Sequence, residues 1–201
     1  MTPSSHRERA IAVAQQRGIA RGRDFDAAGV PRTYLQRLRD EGVFQQVGRG
    51  LYRLADHDAS AHASLAEAVR IRPGGVIALL SALQFHGLTT QTPHRVWMLL
   101  APGVWTPVNP SVQLRIVRAS GDALTTGAER HTIDGVEVPI TDRVKTVVDC
   151  FKYRSLVGQD VAVEALRDLL KAQRPPLDLL RGYAETDRVE RVMRPYLEAL
   201  V

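Results

Sequence analysis

The 201-residue sequence has a single cysteine and no apolar run long enough to span a membrane. One thiol excludes an internal disulfide and is compatible with the reducing cytosol. Cys150 lies in a helical apolar pattern, which favours a buried structural thiol. The first ten residues, MTPSSHRERA, are polar, unlike those of a secretory signal. We therefore expect a cytoplasmic protein without a membrane segment.

Catalytic and metal-binding motifs are also missing. The six histidines form no H-E-x-x-H pair and have no cysteine partners, and the spacing of His57 and His62 does not suit a metal pair. The sequence contains no G-x-S-x-G motif and no P-loop, because Pro73-Gly74-Gly75 lacks the lysine and Ser/Thr that bind phosphate. These absences predict a protein that is not an enzyme and needs no metal or cofactor.

The positive charge is concentrated at the N-terminus. Residues 1–54 contain ten of the 27 basic residues, all of them arginine, and five of the 22 acidic residues. This surplus of five equals the net charge of the whole chain, so the remainder is neutral. Such segregation is typical of a nucleic-acid-binding module beside a domain with another role. A solvated basic face is the alternative interpretation.

Residues 24–54 contain the elements of a winged helix-turn-helix in their usual order. Gly29 supplies the freedom that a tight turn needs, and Pro31 suits the first turn of the following helix. Gly42 ends that helix, and two short strands, Val43–Val47 and Leu51–Leu54, follow as a hairpin. This module is predicted to occupy residues 1–55, with the second of the two adjacent helices reading DNA and the hairpin serving as the wing.

Two further helices are predicted before the reading helix. Ser5 and Glu8 fit a capping box that opens a helix to about Arg17. Asp24 is a plausible N-cap for the next helix. The reading helix would then be the third of the module.

The reading helix has an apolar face and a polar face. Tyr34, Leu35 and Leu38 share one side, and the other carries the candidate base-reading residues Arg32, Thr33, Gln36 and Arg37. Arginine can bond guanine O6 and N7, glutamine can pair with adenine, and threonine can contact a thymine methyl or a phosphate. The candidate phosphate contacts are Arg21, Arg23 and, at the hairpin tip, Arg49.

For the remaining residues, 56–201, the sequence predicts a larger α+β domain with a small mixed or antiparallel sheet wrapped by helices. Arg95–Leu100 and Val112–Val117 have the pattern of strands. Asp134-Gly135 is a strong hairpin signal between two more strands, and Gln159–Ala172 is an amphipathic helix.

Asp142, Lys145 and Asp149 share one face of a predicted helix because they stand at i, i+3 and i+7. The spacing invites an active-site interpretation. The structural interpretation is favoured: Asp142 at the helix start suits the macrodipole, and Lys145 and Asp149 form an i,i+4 ion pair.

Three segments together resemble the AbiEi family of antitoxins, the DNA-binding halves of bacterial toxin–antitoxin pairs. They are GRGLYRL at the wing, SALQFHGL at residues 81–88, and IDGVEVPITD leading into RVKTVVDCF at residues 133–151. The resemblance covers about the whole chain, and its specificity lies in the ordered combination.

The resemblance implies two roles. The N-terminal domain is expected to bind inverted repeats in its own promoter and to repress the operon. The C-terminal domain is expected to neutralise a cognate toxin that looks like a nucleotidyltransferase. Because Asp142, Lys145 and Asp149 lie in a family signature, the resemblance makes them candidates for toxin contact or for orienting the domain.

Two alternatives stay open. In the first, the chain is a plain winged-helix regulator whose C-terminal domain senses a small molecule. In the second, it carries a restriction-endonuclease-like domain. Such nucleases need metal-binding carboxylates and commonly an acid two positions before a lysine. The three lysines, at 145, 152 and 171, do not have that spacing, which makes the nuclease the weaker alternative.

Overall fold

The computed structural model describes residues 5–56, 60–106, 111–172 and 177–200. The chain divides into two compact units. The first unit comprises Met1–Pro73, Pro107–Val112 and His131–Val138, and the second comprises Gly74–Thr106, Gln113–Arg130 and Pro139–Val201.

The first unit contains a helical module with a small antiparallel sheet. Its elements are α1 (His6–Arg17), β1 (Ala20–Arg21), α2 (Gly22–Ala27), α3 (Arg32–Asp40), β2 (Phe44–Gly48), β3 (Leu51–Leu54) and α4 (Ala63–Ile71). The strand order is β1-β3-β2, with both pairs antiparallel. The predicted capping box is confirmed, because Ser5 accepts from the backbone of Glu8 and Glu8 accepts from the backbone of Ser5.

Aromatic and leucine side chains form the core of the first unit. Leu35 and Leu38 of α3 are buried together with Phe25 and Phe44, whose rings pack edge to face at 5.6 Å. Tyr34 is only half-buried at the margin of this core. The 3.6-residue period of α3 thus separates a packed face from a solvent face, as predicted.

In the first unit, one element was not predicted and one predicted helix start is wrong. The strand β1 was not predicted, and α2 begins at Gly22 rather than after Asp24. Asp24 lies at the third position of α2, where its Oδ2 accepts from the backbone N–H of Arg21 at 2.7 Å. It therefore caps the helix from inside the first turn.

The second unit is built around a mixed sheet. The elements after Pro73 are β4 (Val76–Ile77), α5 (Leu79–His86), β5 (Val96–Leu100), β6 (Leu114–Arg118), α6 (Asp122–Thr125), β7 (Ala128–Ile133), β8 (Val136–Thr141), α7 (Arg143–Lys152), α8 (Arg154–Val157), α9 (Gln159–Ala172), α10 (Leu177–Thr186) and α11 (Glu190–Leu200). The strand order is β6-β5-β4-β8-β7. The pairs β5–β6 and β4–β8 are parallel, and β4–β5 is antiparallel.

The β7–β8 hairpin was predicted from Asp134-Gly135. Both residues have positive φ, 48° and 72°, as a tight two-residue hairpin turn requires. The outer part of this hairpin, His131–Val138, belongs to the first unit.

Helix α7 is the centre of the second unit. Every residue from Val144 to Phe151 is buried, including Cys150, and α7 packs against α5, α9 and α10. Burial raises the pKa of the Cys150 thiol well above its usual value, which fits the predicted structural thiol. The predicted fold class, an α+β chain with an N-terminal winged helix and a mixed sheet wrapped by helices, is confirmed. Within the described residues, no helix is both long and apolar enough to cross a membrane.

Candidate nucleic-acid interface

The solvent face of α3 presents the four residues predicted to read bases. Arg32, Thr33, Gln36 and Arg37 are all exposed, and the side chains of Arg32 and Arg37 are 73% and 70% exposed. Leu35 and Leu38 anchor the opposite face in the core. The structure therefore brings these four side chains together on one face of a firmly packed helix.

The wing is short and is fixed at its tip. Arg49 is exposed in the turn, and Gly50 adopts a φ of 68°. The backbone N–H of Gly22 donates to the carbonyl of Gly50 at 3.0 Å, which attaches the wing turn to the start of α2. A Cβ added to Gly22 would lie 3.8 Å from Cζ of Arg32. The wing turn, the start of α2 and the start of α3 therefore converge.

Arg32 is held by an acid from the preceding helix. Its Nε and Nη2 donate to Oδ2 of Asp26 at 3.1 and 2.8 Å. These hydrogen bonds, together with the charge of Asp26, raise the pKa of Arg32 above its ordinary value. The guanidinium is thus charged and oriented before any ligand is present.

Arg37 has a similar carboxylate partner. Its Nε donates to Oε1 of Glu41 at 2.7 Å, and Nη1 of Arg7 donates to Oε2 of the same carboxylate at 2.8 Å. The guanidinium carbon of Arg37 also lies 5.9 Å from the centroid of the Tyr34 ring. The hydrogen bond from Arg37 lowers the pKa of Glu41, and the hydrogen bond from Arg7 and the charges of both arginines act in the same direction.

The two predicted phosphate contacts before α3 differ in exposure. Arg23 is exposed, whereas Arg21 is half-buried and its Nη2 donates to the carbonyl of Arg70 in the last turn of α4. Nη2 of Arg70 in turn donates to the carbonyl of Arg17 at the end of α1, at 2.9 Å. Arg21 and Arg70 therefore satisfy carbonyls at helix C-termini, so the guanidinium of Arg21 is committed within the protein.

The residues that sequence reasoning missed at this interface are the acidic partners. Asp26 lies on α2, and Glu41 follows α3, so neither belongs to the polar face of the reading helix. The spacing of Arg37 and Glu41 is a sequence signal for their pairing, since they stand at i and i+4. Pairing of Asp26 with Arg32 depends on the turn between two helices and leaves no periodic signal.

The helix face with Asp142, Lys145 and Asp149 lies largely inside the second unit. Asp142 is the N-cap of α7, accepting from the backbone N–H of Lys145 at 2.7 Å, and its Oδ2 accepts from the Tyr183 hydroxyl at 2.6 Å. Lys145 and Asp149 are paired and have no exposed surface. Buried side chains cannot touch a partner, so direct toxin contact through Lys145 and Asp149 is not compatible with this structure.

A third acid completes this cluster. Nζ of Lys145 also lies 2.9 Å from Oδ2 of Asp187, and Nζ of Lys152 lies 2.8 Å from its Oδ1. Burial would raise the pKa of Asp187, but the charge of Lys145 and the hydrogen bonds from both lysines lower it. The predicted i,i+4 pair is therefore part of a buried network of two lysines and two aspartates.

Asp149 is the less well stabilised carboxylate of the network. Burial raises its pKa to about 7, Asp187 acts in the same direction and Lys145 opposes both. Its Oδ2 is buried without a hydrogen-bond partner among the described residues. Within the residues that the structure describes, no group of three or more His, Cys, Asp or Glu side chains is placed to hold a metal ion. His57, considered above as a possible ligand, lies outside the described residues.

The geometry of the first unit identifies its structural class. A tight turn between α2 and α3, an exposed polar face on α3 and a sheet ordered β1-β3-β2 make a winged helix-turn-helix. Residues 8–55 match the family model described as "Transcriptional regulator, AbiEi antitoxin". The predicted resemblance is thereby confirmed for the N-terminal region, as a transcriptional-regulator and antitoxin domain.

A solved structure resembles the fold over a longer stretch. The crystal structure of the RV2827C protein from Mycobacterium tuberculosis superposes with a TM-score of 0.62, covering 90% of this chain and 72% of that one. The two sequences are 16% identical, so the likeness concerns the fold alone. No curated protein matches the sequence.

Proposed function

We propose that this protein is a DNA-binding transcriptional autorepressor that also neutralises a toxin. The observation that carries the first role is the exposed face of α3, where Arg32, Thr33, Gln36 and Arg37 lie together above a buried apolar face. All of the chain's net positive charge belongs to residues 1–54, which include this face. Charge attracts the phosphate backbone, and the side chains on α3 supply the groups that distinguish bases.

In this proposal α3 enters the major groove. Arg32 and Arg37 donate to guanine O6 and N7, Gln36 pairs with adenine, and Thr33 meets a thymine methyl or a phosphate. Arg49 on the wing and Arg23 on α2 contact phosphates, which positions α3 without reading sequence. Arg21 contributes its charge while remaining bonded to the carbonyl of Arg70. The target is double-stranded DNA with inverted repeats in the protein's own promoter.

The antitoxin role is assigned to residues 56–201, and the toxin is a cognate nucleotidyltransferase-like protein. The antitoxin description of the family matched at residues 8–55 supports this role. The neutral charge of the remaining chain suits a protein partner better than a nucleic acid. Since Lys145 and Asp149 are buried, the toxin must meet exposed residues; the exposed large apolar side chains among the described residues are Trp105, Leu156, Leu177 and Leu179. In both roles the protein acts by binding and has no catalytic activity of its own.

The test separates the two roles in the full-length chain. A double variant, Arg32→Gln with Arg37→Gln, should lose operator binding in a titration on the upstream DNA. The same variant should still restore growth when co-expressed with the product of an adjacent nucleotidyltransferase-like gene. Arg194→Gln is the matched control, because Arg194 is an exposed arginine on α11, paired with Glu190 at 3.2 Å. It should keep operator binding.

Three results would contradict this proposal. Retained operator binding by the folded double variant would show that Arg32 and Arg37 of α3 do not contact DNA. Failure of the wild-type protein to restore growth would remove the antitoxin role. Loss of growth rescue together with DNA binding would contradict the division of roles between residues 1–55 and 56–201.

A ligand-sensing C-terminal domain is the second candidate, favoured by one observation. A cleft of about 340 Å³ between α10 and α11 is lined by Leu177, Leu180, Arg181, Leu197 and Glu198. Apolar walls with a few charged groups are the composition of small-molecule sites. Leu197→Trp, which fills the cleft, should then change repression of a reporter in cells without changing the operator affinity of the purified protein. Equal repression by the Leu197→Trp variant and the wild-type protein would count against ligand sensing.

A further inference from the structure

The contact between Arg32 and Asp26 leaves one edge of the guanidinium available. Nε donates to Oδ2 at 3.1 Å and Nη2 donates to the same oxygen at 2.8 Å, so Asp26 occupies the Nε–Nη2 edge. Arginine has five N–H groups, one on Nε and two on each terminal nitrogen. Both hydrogens on Nη1 and the second hydrogen on Nη2 therefore remain for another acceptor pair. Guanine O6 and N7 form such a pair in the major groove.

Arg32 lies beside Gly22, and its partner Asp26 lies on a packed helix. Its guanidinium carbon lies beside Gly22, at 3.8 Å from the position a Cβ would take there. Asp26 lies on α2, whose Phe25 is fully buried, so the carboxylate is carried by a rigid element. An unrestrained arginine must lose side-chain entropy when it binds a base, and a pre-oriented one loses less.

The surface location makes stability a poor explanation for the pair. The Arg32 side chain is 73% exposed, and exposed ion pairs of this kind contribute little to folding. Asp26 also places a negative charge on the helix that carries Arg23, which weakens binding to any duplex. A carboxylate that lowers general affinity but orients a base-reading arginine raises the ratio of specific to non-specific binding.

We propose that Asp26 is a positioning residue that sets specificity for one G·C base pair by orienting the Nη1–Nη2 edge of Arg32 toward guanine. This proposal rests on the DNA-binding function proposed above. It assigns opposite effects to one side chain: Asp26 reduces affinity for DNA in general and increases the preference for guanine at the position that Arg32 reads.

The experiment selects bound duplexes from a pool with randomised sequence, using the full-length wild-type protein and the Asp26→Ala variant, which removes the oxygen that accepts from Arg32. The wild-type protein should enrich a sequence with guanine fixed at one position of each half-site. Asp26→Ala should lose about tenfold of the preference for guanine there, while preferences at the other positions stay unchanged. Its affinity for an unrelated duplex should rise, and that rise should diminish at high salt.

Asp40→Ala is the matched control, because it makes the same substitution and removes the same charge from the same module. Asp40 is exposed and pairs with Arg39 at 2.9 Å rather than with one of the four candidate reading residues. It should raise affinity for all duplexes alike and preserve every base preference. Arg32→Lys should reproduce the lost guanine preference, because lysine keeps the charge but lacks the bidentate fork.

The outcomes distinguish this inference from the function on which it rests. Uniformly tighter binding by Asp26→Ala with all base preferences intact would overturn the positioning role and leave DNA recognition standing. A wild-type protein that enriches no sequence from the pool would overturn the DNA-reading function and the positioning role together. A circular dichroism spectrum unchanged from wild type checks that each variant is folded.

Discussion

The ammonium nitrogen of Lys145 lies 2.9 Å from Oδ2 of Asp187, and neither side chain has any exposed surface. Lys145 is on α7, while Asp187 follows α10 and precedes α11. Oδ1 of Asp187 lies 2.8 Å from Nζ of Lys152, so one carboxylate bridges two lysines of α7. The pair therefore ties the C-terminal helices to the helix at the centre of the second unit.

Removing Asp187 should destabilise the second unit strongly. Asp187→Ala leaves two lysines without this counterion, and breaking a buried ion pair from one side typically costs about 3–5 kcal/mol. Urea-induced unfolding followed by circular dichroism measures the loss. Glu190→Ala is the control, since its pair with Arg194 is exposed and should contribute less than about 1 kcal/mol. Equal losses in the two variants would contradict a structural role for the buried network.

The same network predicts a pH dependence that Asp149 controls. An unfolded aspartate titrates near pH 4, whereas burial raises the pKa of Asp149 to about 7 in the folded protein. The folded state then holds the proton more tightly, so this contribution to stability is fully present below about pH 4 and is lost as the pH rises through about 7. The stability of the wild-type protein relative to Asp149→Asn should therefore fall over that interval. Urea unfolding at several pH values tests this, and a constant difference would contradict it.

Gly18 makes a close approach that no other residue type can make. A Cβ at Gly18 would lie 1.6 Å from the carbonyl oxygen of Asp134, and its φ is 63°. Gly18→Ala should therefore destabilise the first unit through both steric overlap and backbone strain. Gly42→Ala is the control, because Gly42 has a φ of 74° and nothing within 4 Å of the position that a Cβ would take. In urea unfolding we expect Gly18→Ala to cost about 1–3 kcal/mol more than Gly42→Ala. Equal costs would show that the hairpin turn moves away from residue 18 at little cost in free energy.

Arg37 should behave as a base contact. Arg37→Gln is expected to weaken binding to the preferred duplex by about tenfold to a hundredfold and to relax the preference at one position. Arg39→Gln removes an equal charge from a residue that pairs with Asp40, and its effect should be smaller and alike on all duplexes. Competition titrations with single-base variants of the duplex measure both. An equal loss on every sequence would make Arg37 a phosphate contact.

Features controlled by neighbouring residues could be predicted from the sequence. The capping box at Ser5, the turn at Asp134-Gly135 and the helix start at Asp142 each depend on residues within four positions. The two faces of α3 follow from a helical period over nine residues. For the same reason the exposed positions of the candidate reading residues could be predicted.

Features that depend on distant partners could not be predicted. The strand β1 is two residues long and exists because Ala20 pairs with Tyr52. Arg21 meets a carbonyl 49 residues away, and Lys145 meets Asp187 across 42 residues. A two-residue strand is too short to show periodicity, and the sequence does not show which distant residue a charged side chain will pair with. The sequence therefore predicted which face of α3 is exposed but not the acidic partners of Arg32 and Arg37 or the pairing of Lys145 with Asp187.

The most direct test of the central claim, that α3 reads DNA sequence, is a titration of the full-length protein on its own upstream DNA at several salt concentrations. We predict tight binding whose logarithm falls steeply with the logarithm of salt concentration and which an excess of unrelated duplex does not displace. Weak binding of equal strength to every duplex would contradict this claim, because the polar face of α3 would then serve only as a cationic surface.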